Sequence, residues 1–187
     1  MPLRSTDADW GALVRAFHWL IALLIVVQAV IGLSMVQLGV TPEKVRVFAL
    51  HKSIGLTILA LALLRIAWRL SERRPADPAG TPRWQRRAAR VAHLALYVLI
   101  VAIPLSGWWF NSASNAPLTW FGMFQVPSLT GGYDPVWKPR ALLVHQSLFW
   151  LLVAVLVVHV GAALWHHFRQ RDDVLRRMLY GRGRRRG

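Results

Sequence analysis

An all-α fold of four membrane-spanning helices is what this sequence predicts, and three observations predict it. The first is composition: 55% of the 187 residues are apolar and the mean hydropathy is positive, whereas a soluble domain of this size carries more polar surface. The second is that Lys, Arg, Asp and Glu are absent from positions 16–42, 53–64, 91–133 and 141–168. An apolar helix of about 20 residues crosses the hydrocarbon core, so three of these runs suffice unaided. The other reaches that length as 47–70 once Lys52 and Arg65 extend their charged ends towards opposite interfaces. The third observation is charge asymmetry. Four spans place both termini on one side, and that side holds 18 of the 23 Lys and Arg. They comprise Arg4 and Arg15, the arginines of 65–90, and those from Arg169 to Arg186. The opposite side holds only Lys44, Arg46, Lys52, Lys138 and Arg140. The positive-inside rule therefore makes the termini cytoplasmic. A formal net charge of +15 is absorbed by topology and anionic headgroups, so nucleic acid is not an expected partner.

The elements follow in order within a single domain, 1–187, with no internal repeat. The first helix covers about 12–38; its apolar run exceeds the core of a signal peptide and lacks a small-residue cleavage site, so it is read as retained. The stretch "TPEK", 41–44, ends it and makes a short outer turn, because Pro42 cannot continue a helix comfortably. The second helix returns over 47–70. A proline- and arginine-rich linker, 71–87, leads to the third helix at about 88–110, where Pro104 is expected to introduce a kink. The long connection 111–140 contains "TWFGMFQVP", too apolar for a solvated loop. It is expected to lie along the outer interface or fold over the bundle mouth, with Trp120, Phe121 and Phe124 among the headgroups. The fourth helix covers about 141–168.

The candidate site is made of histidines. In the fourth helix His145 and His159 are fourteen residues apart, close to four turns and about 21 Å, so they share a face at two depths. An intramembrane imidazole needs a partner and normally faces the bundle interior. His51 lies at the outer depth of His145, and His18 at the inner depth of His159. Two bis-histidine sites about 20 Å apart are the arrangement expected of two non-covalent b-type haems in a four-helix bundle. Without cysteine, disulfides, c-type haem attachment and Cys-ligated iron–sulfur clusters are excluded. The absence of acidic clusters leaves zinc and di-iron sites poorly served. His93, in the third helix, competes with His18 or His159 for the inner site, or else hydrogen-bonds a propionate or quinone. His166 and His167 are expected to be solvated or to face lipid.

Gly55 and Gly161 would give a flat macrocycle room beside His51 and His159. Lys52, Lys138 and Arg140 outside, and Arg15, Arg65, Arg69 and Arg90 inside, could neutralise propionates. An inner quinone site could be lined by His93, Arg90 and Trp19, an outer one by Trp137 and the long loop.

The segments "FHWLIALLI", "HKSIGLTILALALLRIAWRL", "HLALYVLIVAIPLSGWW" and "HQSLFWLLVAVLVVHVGAALWHHFRQRDDVLRRML", in this order and spacing, resemble the prokaryotic cytochrome b561 family over about 13–179. The likeness is closest to members that oxidise superoxide and reduce ubiquinone. It implies a multi-pass protein of the bacterial inner membrane, haem ligation by His18, His51, His145 and His159, ubiquinone as electron acceptor, and superoxide oxidation at the periplasmic face. In the loop only "TWFGMF" and "VPSL" keep the family character. Two alternatives use the same sequence differently. One is the cytochrome b subunit of a hydrogenase- or dehydrogenase-like complex fed by a soluble redox partner. The other is a haem-free transporter or structural subunit whose histidines only hydrogen-bond.

Overall fold

The computed structural model describes residues 2–78 and 80–181. Four long helices cross it: α1 (Ala12–Met35), α2 (Pro42–Leu70), α3 (Arg83–Ala113) and α4 (Trp137–Trp165). A short hairpin of β1 (Thr119–Trp120) and β2 (Phe124–Gln125) interrupts the long loop. After α4 come a π turn (His166–Gln170) and α5 (Val174–Leu179). Consecutive long helices pack side by side, α1 on α2, α2 on α3 and α3 on α4. Each is long and apolar enough to cross a membrane, and the outward faces carry Leu23, Val26, Leu63, Val98, Val157 and Val158, all more than half exposed.

Local chemistry moves several helix boundaries from the sequence expectation. Pro42 begins α2 rather than merely ending α1: Thr41 is the N-cap, its Oγ1 accepting from Lys44 N at 3.3 Å, and proline at the first position loses no helical hydrogen bond. α3 starts at Arg83, directly after Pro82, and runs through Pro104 without a break in its helical assignment. α4 starts at Trp137 because Asp134 Oδ1 accepts from Val136 N and Trp137 N at 2.9 and 3.0 Å. The first donors of α1 are met differently. The amino-terminal segment folds back so that Ala12 N donates to Pro2 O and Leu13 N to Leu3 O. This crossing requires Gly11, since a Cβ there would lie 2.4 Å from Leu3 O.

That segment belongs to a clamp that brings residues 4–10, the α2–α3 linker and α5 together on one side. Ala76 N donates to Asp7 O, Ser5 N to Glu72 Oε2, and Arg177 Nη1 to Ala76 O. Trp19 Nε1 donates to Met178 O, while Arg69 stacks over Trp10 and Arg4 over Trp68. Arg177, 6% exposed, also pairs with Asp173 at 2.8 Å. His166 is half-buried, with Nδ1 hydrogen-bonded to Asp172, where the π turn folds the chain back on itself. His167 is likewise half-buried. Of the basic C-terminal residues, Arg182, Arg184, Arg185 and Arg186 lie outside the described residues.

The densest apolar packing occupies the middle of the bundle, where Ile21, Ile58, Leu59, Ala62, Leu99, Ile100 and Leu152 are all buried. Leu152 stands seven residues from both His145 and His159. The closed layer thus separates two histidine tiers, one towards the loop side and one towards the terminal side.

Candidate functional site: two tiers of facing histidines

On the loop side α2 supplies His51 and α4 supplies His145, whose ring centres are 6.3 Å apart. On the terminal side α1 supplies His18 and α4 supplies His159, again 6.3 Å apart. Two imidazoles that ligate one ion through facing nitrogens, at about 2 Å per bond and roughly 1 Å from nitrogen to ring centre, have centres about 6 Å apart. Both pairs stand edge-on, with interplanar angles of 68° and 81°, at a centre-to-centre separation that shared ligation would also require. The two tiers are the ones that the helical rise along α4 anticipates, about 21 Å apart along its axis.

The loop-side pair shows how the fold prepares a ligand. His145 Nδ1 lies 3.0 Å from Ser106 Oγ and 3.1 Å from Ile103 O, and the Ser106 hydroxyl donates to Ile103 O at 2.7 Å. A carbonyl only accepts, so the imidazole proton sits on Nδ1 and Nε2 keeps its lone pair. Gly107 makes the approach possible, because a Cβ there would lie 3.1 Å from His145 Cε1. Gly32 does the same for His51, at 3.1 Å from its Cε1. The backbone carbonyl of His51 accepts from Gln28 Nε2 at 2.6 Å. Its own Nδ1 is buried without a hydrogen-bond partner, a costly condition for an imidazole.

The terminal-side tier contains a third ring. His93 packs on His159 with centres 5.5 Å apart, closer than the facing pairs. His18 repeats the separation of the loop-side pair, while His93 stands nearer to His159 than His18 does. Trp19 packs edge-on against His18 at 5.0 Å. Arg65 is near enough to act electrostatically on His18, His93 and His159, and its guanidinium lies over the Tyr97 ring.

Most of the other candidate cations have found protein partners. Lys52 Nζ donates to Pro117 O at 2.6 Å and to Asn111 Oδ1 at 3.2 Å, which fastens the loop to α2 and α3. Arg140 stacks on Trp137 and Lys138 on Tyr133. Arg69 stacks on Trp10 and donates to Glu72 O. Arg15 is buried, its guanidinium against Gly181 beside Asp9, and Arg90 is exposed.

Gly55 and Gly161, expected to give a macrocycle room, do not seat the imidazole rings. A Cβ at Gly55 meets Gln28 Nε2 at 3.3 Å instead, and one at Gly161 meets nothing within 4 Å. Gly32, Gly107, Ser106 and Gln28 were missed. The signal that could have found the two glycines is their height in α1 and α3, level with His51 and His145.

Comparison with known proteins settles the family. A family model described as prokaryotic cytochrome b561 matches residues 9–181. The chain belongs to the prokaryotic cytochrome b561 family. It is 35% identical over 186 residues to cytochrome b561 homolog 2 of Escherichia coli (strain K12), covering 96% of this chain and 95% of that protein. It is 28% identical over 171 residues to cytochrome b561 homolog 1 of the same organism, covering 87% and 92%. It is also 27% identical over 176 residues to a protein of Yersinia pestis named probable superoxide oxidase CybB, covering 91% and 95%. As a cytochrome b561 the chain is a bacterial membrane electron-transfer protein of a family that binds haem b.

The residues present fit that group. Each tier offers two imidazoles from different helices, glycines leave room beside both loop-side rings, and the orphaned His51 Nδ1 marks an environment short of a polar partner. Among the described residues no cluster of three or more His, Cys, Asp or Glu competes as a metal site.

Proposed function

We propose that this cytochrome b561 is a di-haem quinone reductase of the bacterial inner membrane, with its terminal side in the cytoplasm and superoxide as donor on the opposite face. His51 and His145 would hold one haem b, His18 and His159 the other. When bound, haem b supplies reversible one-electron storage at each tier. The observation that carries the reading is the repeated 6.3 Å separation of facing imidazoles at two heights. The reaction balances as follows: two superoxide anions each lose one electron and leave as dioxygen, and one ubiquinone takes up two electrons and two protons.

The chain's own residues have three tasks. The imidazoles are held in orientation, as Ser106 and the Ile103 carbonyl hold His145. The buried layer around Leu152 keeps water out between the tiers. On the loop side Lys52, Lys138 and Arg140, stacked or hydrogen-bonded, form the basic group that would attract an anion over long range. The name of the Yersinia pestis relative supports superoxide as the anion. His93, beside the terminal-side pair, and Arg65 are the polar groups placed to meet a quinone or a propionate there.

The test uses purified, haem-loaded protein in lipid nanodiscs with an enzymatic superoxide generator. The expected result is reduction of added ubiquinone, abolished by superoxide dismutase and slowed by salt, as steering requires. Haem reduction without quinone turnover, or turnover only after a soluble redox subunit is added, would refute the proposal.

A further inference from the structure

The loop hairpin does not sit above the loop-side histidine pair. Its contacts are with Ser53 and Thr57, which lie on the face of α2 reached by a turn of about 200° from His51. Phe121 N donates to Ser53 Oγ at 3.0 Å, the Ser53 hydroxyl reaches Thr119 O at 3.3 Å, and Trp120 Nε1 donates to Thr57 Oγ1 at 3.1 Å. Along α2 these anchors lie about 3 and 9 Å further from the loop side than His51. Both belong to the charge-free run 53–64 of a membrane-spanning helix. The hairpin therefore descends beside α2 to the depth of the hydrocarbon.

Its chemistry suits that depth. Residues 117–127 carry no charge. The turn places Phe121 and Gly122 in the left-handed region, with φ of 46° and 73°; tight hairpin turns in water favour Asn-Gly or Asp-Gly there. At the tip Phe121, Met123 and Phe124 are 49%, 65% and 56% exposed. Hydrocarbon demands that backbone polar groups find internal partners. Here Met123 N donates to Trp120 O, Val126 N to Leu118 O, and Phe121 N to the buried Ser53 hydroxyl.

We propose that residues 118–126 form a re-entrant wedge inserted among the lipid acyl chains of the loop-side leaflet, with Phe121, Met123 and Phe124 as its lipid contacts. The partner is the acyl region of the bilayer, continuous with the lipid-facing surface of α2. The wedge fixes the long loop in place while leaving the loop-side end of the bundle above His51 and His145 to water.

The chain contains no cysteine, so single-cysteine labelling is clean. Met123→Cys carrying a nitroxide is compared, in the haem-loaded full-length protein in nanodiscs, with Leu63→Cys on α2 and Tyr133→Cys in the loop, positions 52% and 60% exposed. The expected result is relaxation by oxygen like that at position 63, and loss of the relaxation by a water-soluble nickel chelate seen at position 133. Chelate relaxation equal to that at 133 would overturn the proposal. So would shielding from both agents, which would show a second protein copy covering the tip. If Met123→Cys loses its haem, Phe124→Cys is read by the same criteria.

Discussion

His145 shows at the scale of one residue how a polar ring is kept in an apolar bundle. Its Nδ1–H meets Ile103 O and Ser106 Oγ, and Gly107 gives up a side chain to let the ring approach. A larger residue at that glycine must push the ring away. Gly107→Val is therefore expected to lose about half of the haem per chain, all from the loop-side tier, as read by the haem-to-protein ratio and the reduced spectrum. His93 makes the complementary case. It touches His159 but stands closer than a facing partner, so His93→Ala is expected to keep the full haem content while lowering quinone reduction; loss of one haem would instead make it a ligand. The histidine heights were legible in the sequence because the helical rise is fixed and charge-free runs locate the spans. The glycines were not. The rings of His51 and His145 rest on Gly32 and Gly107 of other helices, and which residue faces a ring depends on helix rotation that spacing alone leaves open.

Elements differ in how much of their position the sequence determines. The four spans were legible from hydropathy, but their ends followed capping: Thr41 with Pro42 for α2, and Asp134 for α4. The hairpin position was not legible, because it depends on Ser53 and Thr57, two ordinary residues within an apolar helix. Ser53→Ala would leave the Phe121 N–H without its partner, and the expected cost is about 1–3 kcal/mol. It should appear as faster hydrogen exchange over 118–126 with haem content unchanged. On the terminal side the clamp depends on Glu72. Partial burial opposes its ionisation, but the Ser5 hydrogen bonds and the charges of Arg4 and Arg69 prevail and hold its pKa below the usual carboxylate value. A depressed carboxylate contributes stability that is present above the unfolded pKa and lost as pH falls through the folded one. Protection of residues 2–11 from hydrogen exchange, taken relative to the unfolded chain at the same pH, should thus stay constant from neutral pH down to the ordinary glutamate range and fall only below it. In Glu72→Gln that protection should already be reduced at neutral pH.

The whole molecule is a bundle with little fully buried apolar volume outside the layer around Leu152. Its logic lies in two histidine tiers separated by a closed apolar layer, enclosed by lipid-facing helices and fastened by a clamp at the terminal side. Charge distribution belongs to the same scale: the described arginines of the clamp and linker gather on one side, the side that the proposed orientation places in the cytoplasm. The central claim is that imidazoles from three helices form two separate haem sites. The most direct test is the haem b content per chain of the purified wild type and of His51→Ala and His159→Ala. The account predicts two haems in the wild type and one in each variant, with different reduced spectra because different tiers survive. One haem in the wild type, or loss of both haems from either single variant, would contradict it.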